Sequence, residues 1–318
     1  MATVAVIIPN YNHANFLWQR VESITNQTYR DFSVLLLDDA SADHSASVIK
    51  DIQSKYPQIS VDINTKNSGS PFAQWQKGFL QTESEYIWIA ESDDFCAPTL
   101  LEELVTCLEQ NTDCGLAYAQ TIWVNEQGTE LNSYEENLKF IYKTDQWSQS
   151  FIESGESACR NWLMFHNPIP NASGVLIRRS VWEQTEGPPQ SMRLNGDWHF
   201  YAQILSKSNL AFVAKELNYF RVHTNTQREK ARMNAEVYDE MIDIITYINT
   251  HIPQTDENAV KAKQQIGDWW IGSLPDQKMD KSNFSRNQKL YRFFKTYKDN
   301  LWWHILITYI ITYLRSFL

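Results

Sequence analysis

Short apolar runs alternate with amphipathic stretches over the first third of the chain. Residues 4–8, 33–37, 61–64 and 86–90 read as strands. Between them, residues 16–26, 45–56 and 72–81 read as helices, with Phe16, Leu17, Val21 and Ile24 at helical spacing in the first. Strand alternating with helix predicts an α/β fold: a mostly parallel central sheet, right-handed crossovers and flanking helices. Pro98 sits where a first-turn proline is tolerated and opens a helix over 99–110. Beyond Cys114 the pattern loosens. It gives a strand over 115–124, a turn over 125–128, a helix over 158–165 and a strand over 174–177. A helix over 197–206 and a short strand over 210–213 follow, and the chain is mainly helical from about residue 227. The expected organisation is one α/β domain over 1–225 (halves 1–115 and 116–225) and a helical C-terminal extension over 226–318.

The strand ends carry the chemistry. The run Tyr86-Ile87-Trp88-Ile89-Ala90 leads straight into Glu91-Ser92-Asp93-Asp94. Packed carboxylates repel and resist desolvation, so such a cluster needs an occupation. At the carboxyl end of a strand in an open α/β sheet, it can hold a hard cation carrying a phosphorylated ligand. A solvated acidic turn that caps the next helix is the alternative. The second strand ends in Asp38-Asp39, followed by Ser41 and Asp43. These residues suit a turn and an N-cap, or a carboxylate that accepts from a base N–H or a ribose hydroxyl. The first strand exits through Pro9-Asn10-Tyr11-Asn12, where Tyr11 can stack on a base. Asp197, at a helix start, is either an N-cap or a general base for an attacking hydroxyl.

Composition narrows the partners. The 318 residues are 43% hydrophobic and 21% charged, which is ordinary for a globular chain. The net charge of −10 (28 basic against 38 acidic residues) argues against nucleic acid as a partner. An anionic ligand would then need a local cation. Cys96, Cys107, Cys114 and Cys159 lack metal-ligand spacing and read as reduced thiols of a cytoplasmic protein. Residues 1–9 have no basic start and break at Pro9, so they read as a first strand rather than a signal peptide.

Taken together, Val6-Ile7-Ile8-Pro9-Asn10-Tyr11-Asn12, Leu37-Asp38-Asp39-Ala40-Ser41-Ala42-Asp43, Asn67-Ser68-Gly69 and Ile89-Ala90-Glu91-Ser92-Asp93-Asp94 resemble the family-2 glycosyltransferases. Order and intervals match that family's GT-A nucleotide-binding half, over about residues 3–225. The resemblance implies inverting transfer of a sugar from a nucleotide-diphospho-sugar, most commonly a UDP-sugar, assisted by Mg²⁺ or Mn²⁺. It gives Asp39, with Asp38, the nucleoside, and maps the aspartate-x-aspartate element to Glu91-Ser92-Asp93. Asp93 then becomes the metal ligand, with Asp94 near ribose or metal. Glu91 stands where the family more often has Asp, and is a further candidate ligand. Asp197 matches the acidic base before an aromatic residue, although Gly196 replaces the acidic neighbour often found there. Tyr219-Phe220-Arg221-Val222-His223-Thr224 resembles the segment that closes over the diphosphate. It implies His223 on the metal and Arg221 against leaving-group charge. Pro9, Asn10, Tyr11, Ser92 and Asn67 are the remaining donor-side candidates, with Lys77 and Gln74 on a flanking helix. The loop over 166–171 is expected on the acceptor side.

Lys281, Arg286, Lys289, Arg292, Lys295 and Lys298 set six positive charges against Asp299 within 281–300. The aromatic-rich apolar stretch 301–318 follows. Eighteen residues is marginal for a span of about 20, and Arg315 near the end argues further against crossing. The pattern predicts a peripheral helix on an anionic membrane surface, at the inner face of the cell membrane, unless it packs on the core. That location suits a glycan or lipid-linked acceptor and a role in cell-surface polysaccharide assembly. The Gln-x-x-Arg-Trp signature of processive synthases is absent, as are multiple apolar spans, which favours addition of a single sugar. Two rivals are a sugar nucleotidyltransferase and a catalytically inactive nucleotide-sugar-binding scaffold. The first would want a Gly-rich basic loop after the first strand. Against the second stands the intact set Asp93, Asp197 and His223.

Overall fold

A computed structural model describes residues 2–223, 235–253, 256–277, 280–297 and 300–315. The first third folds as its pattern predicts: β1 (Val4–Asn10), α1 (Ala14–Thr25), β2 (Phe32–Asp38), α2 (Ser45–Lys55), β3 (Ser60–Ile63), α3 (Pro71–Leu80) and β4 (Tyr86–Ile89). Then come β5 (Phe95–Cys96), α4 (Leu100–Gln110), β6 (Cys114–Val124), β7 (Glu130–Ser133), α5 (Tyr134–Tyr142) and β8 (Phe151–Glu153). The helix expected over 158–165 is α6 (Gly155–Ala158) running into a π-helical turn, Cys159–Leu163. After β9 (Val175–Arg178), α7 (Arg179–Trp182) and α8 (Gly196–Leu205), the last strand, β10, spans Asn209–Arg221. The sequence reading of a short strand over 210–213 therefore stops well short. Past Val213 the strand bends at two register shifts against β6, and those irregularities break its alternation of apolar and polar positions.

The ten strands form one mixed sheet in the order β3-β2-β1-β4-β9-β6-β10-β5, with β7 on β6 and β8 on β10. The strands β1 to β4 pair in parallel, as expected. Beyond them β9 runs antiparallel to both β4 and β6. Two reversals restore the direction, so β6 and its parallel partner β10 point the same way as β1, β2 and β4. The register places Asn10 opposite Asp38, Ile7 opposite Ile89, and Arg221 opposite Val124. All these carboxyl ends therefore open on one edge of the sheet.

Strand geometry divides the core into two layers. In β1, Val4, Val6 and Ile8 face α1, α2 and α4, while Ala5 and Ile7 face α3 and α8. Burial on both faces is why these strands read as unbroken apolar runs. Gly78 lets α3 lie directly on β1, since a Cβ there would come within 2.4 Å of Ile7. The C-terminal helices α9 (Glu236–His251), α10 (Asp256–Ser273) and α11 (Lys281–Phe294) join the second of these layers. Ile244, Ile248, Ile266, Trp270, Leu290 and Phe294 are buried in the same cluster as Ile7 and Trp75. The last helix, α12 (Leu301–Arg315), is different. Leu301 is buried, but Trp302, Trp303, Ile307, Tyr309, Ile310 and Ile311 are exposed. Thr224, Lys298, Asp299 and residues 316–318 lie outside the described residues.

Candidate active site

Two loops at the carboxyl edge are tied to each other. Asn10 donates from Nδ2 to Asp38 (2.7 Å), and Ser41 Oγ accepts from the Asn12 backbone N–H (2.9 Å). Asn12 Oδ1 accepts from the Ala42 N–H at 2.7 Å. Asn12 and Ala40 both adopt left-handed backbone, at φ 59° and 56°. For Ala40 this is an unfavourable conformation that only surrounding contacts can hold, the kind of local strain that clusters at functional sites.

The two acids after β2 part company. Asp38 accepts from Asn10, from the Ser41 N–H (3.0 Å) and from Ser41 Oγ (2.6 Å), so it organises the turn. Asp39 faces a cleft of about 600 Å³ that Tyr11, Asn67, Gln74, Ser92, Arg193 and Leu194 also line. Its carboxylate accepts from Asn64 Nδ2 (2.6 Å), Ser68 Oγ (2.7 Å) and Gln74 Nε2 (3.0 Å), and its main-chain carbonyl from Asn67 (3.1 Å). Tyr11 is 46% exposed, which leaves its ring available at the mouth. Asn10 Oδ1 and Gln74 Oε1 are buried acceptors with no hydrogen-bond partner among the described residues. Buried polar atoms are nearly always paired, so these two acceptors are exceptions among the residues that line the cleft.

Glu91, Ser92, Asp93 and Asp94, one residue past β4, have four different surroundings. Glu91 lines the cleft and accepts from Trp75 Nε1 at 2.8 Å. Burial, and then the charge of Asp93, push its carboxyl up to about 8. Ser92 Oγ meets His13 Nδ1 at 2.8 Å. Asp93 Oδ2 lies 2.9 Å from His223 Nε2, and its other oxygen 3.9 Å from His13 Nδ1. Burial disfavours the Asp93 charge. The His223 hydrogen bond and the two imidazoles outweigh it and hold the carboxyl below its ordinary value. The two imidazole rings stack at 6.1 Å between centroids. Asp94 is fully enclosed and accepts from Asn171 Nδ2 (2.6 Å), Ser173 Oγ (2.6 Å) and the Arg221 N–H (2.9 Å). Burial and Asp93 push it up to about 7, yet three donors converge on it as an acceptor.

One wall of the cleft leads into α8. The first turn of that helix carries Asp197, three residues past the cleft-lining Leu194. Gly196 is required there, because a Cβ would meet the Phe72 ring at 2.4 Å. The Tyr201 hydroxyl, one turn on, is buried without a hydrogen-bond partner among the described residues. Burial first, then the charges of Asp197 and Glu91, raise its pKa, so the phenol feels both carboxylates.

The structure thus gathers Pro9, Asn10, Tyr11, Asp39, Asn67, Glu91 and Ser92 around one cleft, with Asp93 and His223 adjoining through His13. Four of the predicted donor residues stand behind the wall instead. Asp38 and Asp94 are spent on the turns described above. Lys77 binds Asp62 (2.8 Å) and Asn64 (2.7 Å), so it supports an Asp39 partner rather than reaching the cleft. Arg221 is buried, its guanidinium donating to the carbonyls of Asp93, Asn125 and Glu126 and to Gln19 Oε1. A guanidinium so occupied braces the acidic turn. The 166–171 loop contributes Asn171 to Asp94.

Sequence reasoning missed His13, the residue that joins Ser92, Asp93 and His223, although it directly follows the Asn12 turn. It also missed Arg20, which is wholly buried beneath the acidic turn, donates to the Glu91 carbonyl at 2.9 Å and lies over Trp88. An arginine on the apolar stripe Leu17, Val21 and Ile24 was the available signal. Asn64, on Asp39, left none, whereas Ser68, also on Asp39, lay inside the Asn67-Ser68-Gly69 motif without being singled out.

The donor set suits a hard cation in part. Among the described residues no group of three or more His, Cys, Asp or Glu is arranged to hold a metal. Asp93 and His223 are nonetheless adjacent, and Mg²⁺ or Mn²⁺ commonly takes one or two protein groups and fills its remaining positions with phosphate oxygens and water. The pair fits that role. The cysteines are free; burial pushes the Cys114 and Cys159 thiols up to about 12, which makes them poor nucleophiles.

A mixed sheet with acidic strand ends around a carboxyl-edge cleft is the architecture of the GT-A glycosyltransferases, and solved structures share it. Crystalline S. aureus TarS 1–349 superposes with a TM-score of 0.67 at 13% identity, covering 94% of this chain and 82% of that one. A mannosyltransferase from Pyrobaculum calidifontis, in complex with GDP-Man and Mn²⁺, gives 0.55 at 13% identity over 97% and 86%. A model of glycosyl transferase family 2 matches residues 5–184, and the chain belongs to that family. An uncharacterized glycosyltransferase of Nostoc is 23% identical over 252 residues, 76% of this chain and 74% of the relative. One from Rickettsia bellii is 26% identical over 250 residues, and there the chain spans only 32% of the relative. The poly(ribitol-phosphate) beta-glucosyltransferase of Bacillus spizizenii is 25% identical over 135 residues, 42% of this chain and 21% of that protein.

Proposed function

We propose that this glycosyltransferase moves a single sugar from a nucleotide-diphospho-sugar to a hydroxyl acceptor with inversion at the anomeric carbon. The observation that carries the reading is that Asp39 and Glu91, from two separate segments, line one cleft of about 600 Å³, with Asp93 adjoining it through Ser92 and His13 and Asp197 three residues beyond the cleft-lining Leu194. A volume of that size suits a nucleotide sugar. Asp39, Asn10 and Tyr11 form the nucleoside end. Ser68 Oγ is the rotatable donor that would yield its place on Asp39 to a ligand hydroxyl. Asp93 and His223 would hold Mg²⁺ or Mn²⁺, which when bound offsets charge growing on the leaving diphosphate. Asp197 takes the acceptor proton as the new carbon–oxygen bond forms and the bond from carbon to diphosphate breaks. Holding donor and acceptor in line supplies much of the rate.

TarS has been crystallised with UDP-GlcNAc, at a TM-score of 0.65 and 14% identity to this chain. That complex supports a UDP-sugar as the first donor candidate, and the Bacillus relative, named for poly(ribitol-phosphate), makes a hydroxyl-bearing polymer the first acceptor to try. In a thermal-shift panel with Mn²⁺, one nucleotide sugar is expected to stabilise the protein, by about 2.7 kcal/mol at a hundred times its Kd. No shift and no hydrolysis across UDP-, GDP- and dTDP-sugars would overturn the reading.

The tail supports a peripheral location at the inner membrane face. Helix α12 is about 22 Å long by rise per residue, short of the roughly 30 Å hydrocarbon core, and no described helix is long and apolar enough to cross a membrane. It exposes Trp302 and Trp303 in its first turn and Ile307, Ile310 and Ile311 further along, and it follows a helix that bears Lys281 and Arg292 and ends at the C-cap Lys295. Basic, aromatic and aliphatic groups in that order match an interfacial helix on anionic lipid. Co-sedimentation with phosphatidylglycerol vesicles is expected to fall steeply with salt and with Trp302→Ala/Trp303→Ala; equal binding to neutral vesicles would count against it.

A further inference from the structure

Glu240 is a buried carboxylate on α9, far from the site in sequence, and 6% exposed. It accepts from three consecutive backbone N–H groups: Arg193 (2.7 Å), Leu194 (3.2 Å) and Asn195 (2.8 Å). Asn195 adds a second tie, donating from Nδ2 to the Val237 carbonyl on the same helix (3.3 Å). On its other side the loop is stopped by Phe72 against Gly196, and Ser70 Oγ donates to the Met192 carbonyl at 3.5 Å. The clamped residues are those that matter to the cleft. Arg193 and Leu194 line it, and Asp197 follows within two residues of Asn195.

Burying a carboxylate is costly unless its lone pairs are filled, and three main-chain donors fill them here. Apolar packing alone would hold α9 on α8 without any acid. A carboxylate adds what packing lacks, a directional grip on three successive peptide groups, and so fixes the entry angle of the helix that carries Asp197. We infer that Glu240 is a positioning residue for the transfer reaction: it sets the backbone of the 193–195 loop, and thereby the placement of Asp197 and Arg193 against the cleft. This rests on the reading of Asp197 as the acceptor-side base, and it makes the C-terminal helical region part of the catalytic apparatus.

The test compares Glu240→Gln and Glu240→Ala with wild type in the full chain. With UDP-GlcNAc and Mn²⁺, kcat for donor hydrolysis is expected to fall at least about tenfold in Glu240→Ala. The Kd for UDP should stay within about twofold, because the nucleoside end is built on Asp39. Glu240→Gln keeps one acceptor oxygen and should retain an intermediate kcat; it also carries the measurement if the alanine variant does not fold. Amide hydrogen exchange supplies a readout independent of activity: protection should drop in 193–195 and stay unchanged in 39–42. Unchanged kcat, or UDP affinity lost in parallel with kcat, would overturn the inference. So would unchanged exchange at 193–195. A wild-type chain that turns over no sugar nucleotide would sink the transferase reading instead, and the exchange arm would still decide whether Glu240 fixes the loop.

Discussion

Asp197→Asn is expected to lower transfer by about 10²–10⁴-fold, the usual contribution of a positioned general base, while nucleotide binding stays unchanged. Asparagine keeps the size at the second position of α8, where Asn195 holds the N-cap position, so the fold at Gly196 and Phe72 is retained; only the ability to take a proton is lost. Steady-state kinetics beside a calorimetric titration with UDP and Mn²⁺ separate the two roles. A drop in both together would make Asp197 a structural cap. Full activity would move the base elsewhere, and Glu91 is the next candidate. Its charge, like that of Asp197, is felt at Tyr201, and burial, then the charge of Asp93, pushes its own carboxyl up to about 8.

Asp93→Asn should have an effect of similar size through a different term. Asparagine can still bond His223, so the local geometry survives, but the negative charge that would hold a divalent cation is gone. Charge stabilisation by a bound metal is worth several kcal/mol, on the order of 10²–10³ in rate. Stimulation by Mn²⁺ is expected to vanish, together with the thermal shift that Mn²⁺ adds to UDP. Persistence of Mn²⁺ dependence at wild-type strength would remove Asp93 from the metal's surroundings. The pair of variants is diagnostic: Asp197→Asn should spare metal-supported nucleotide binding, and Asp93→Asn should not.

The alternation of apolar runs with amphipathic helices was enough to place β1 to β4 and α1 to α4 within a few residues, because β1, β4 and most of β2 are buried on both faces and each helix on one. That local pattern also put the acidic clusters at strand ends, where the chemistry sits. Sequence could not divide the work within a cluster. Asp38 and Asp39 are equal as residues, yet one is enclosed in a turn by Asn10 and Ser41 while the other opens on the cleft. Asp93 and Asp94 separate in the same way: His223 reaches one from the end of β10, whereas Asn171 and Ser173 close over the other. The reach of β10 past its bend, the burial of Arg20 and Arg221, and the grip of Glu240 on the 193–195 loop are equally tertiary facts. Residue type and spacing along the chain determine which groups are available and which face of an element they occupy. Whether a carboxylate is a brace, a ligand or a base depends on its solvation and its partners, and those partners lie up to about 130 residues away.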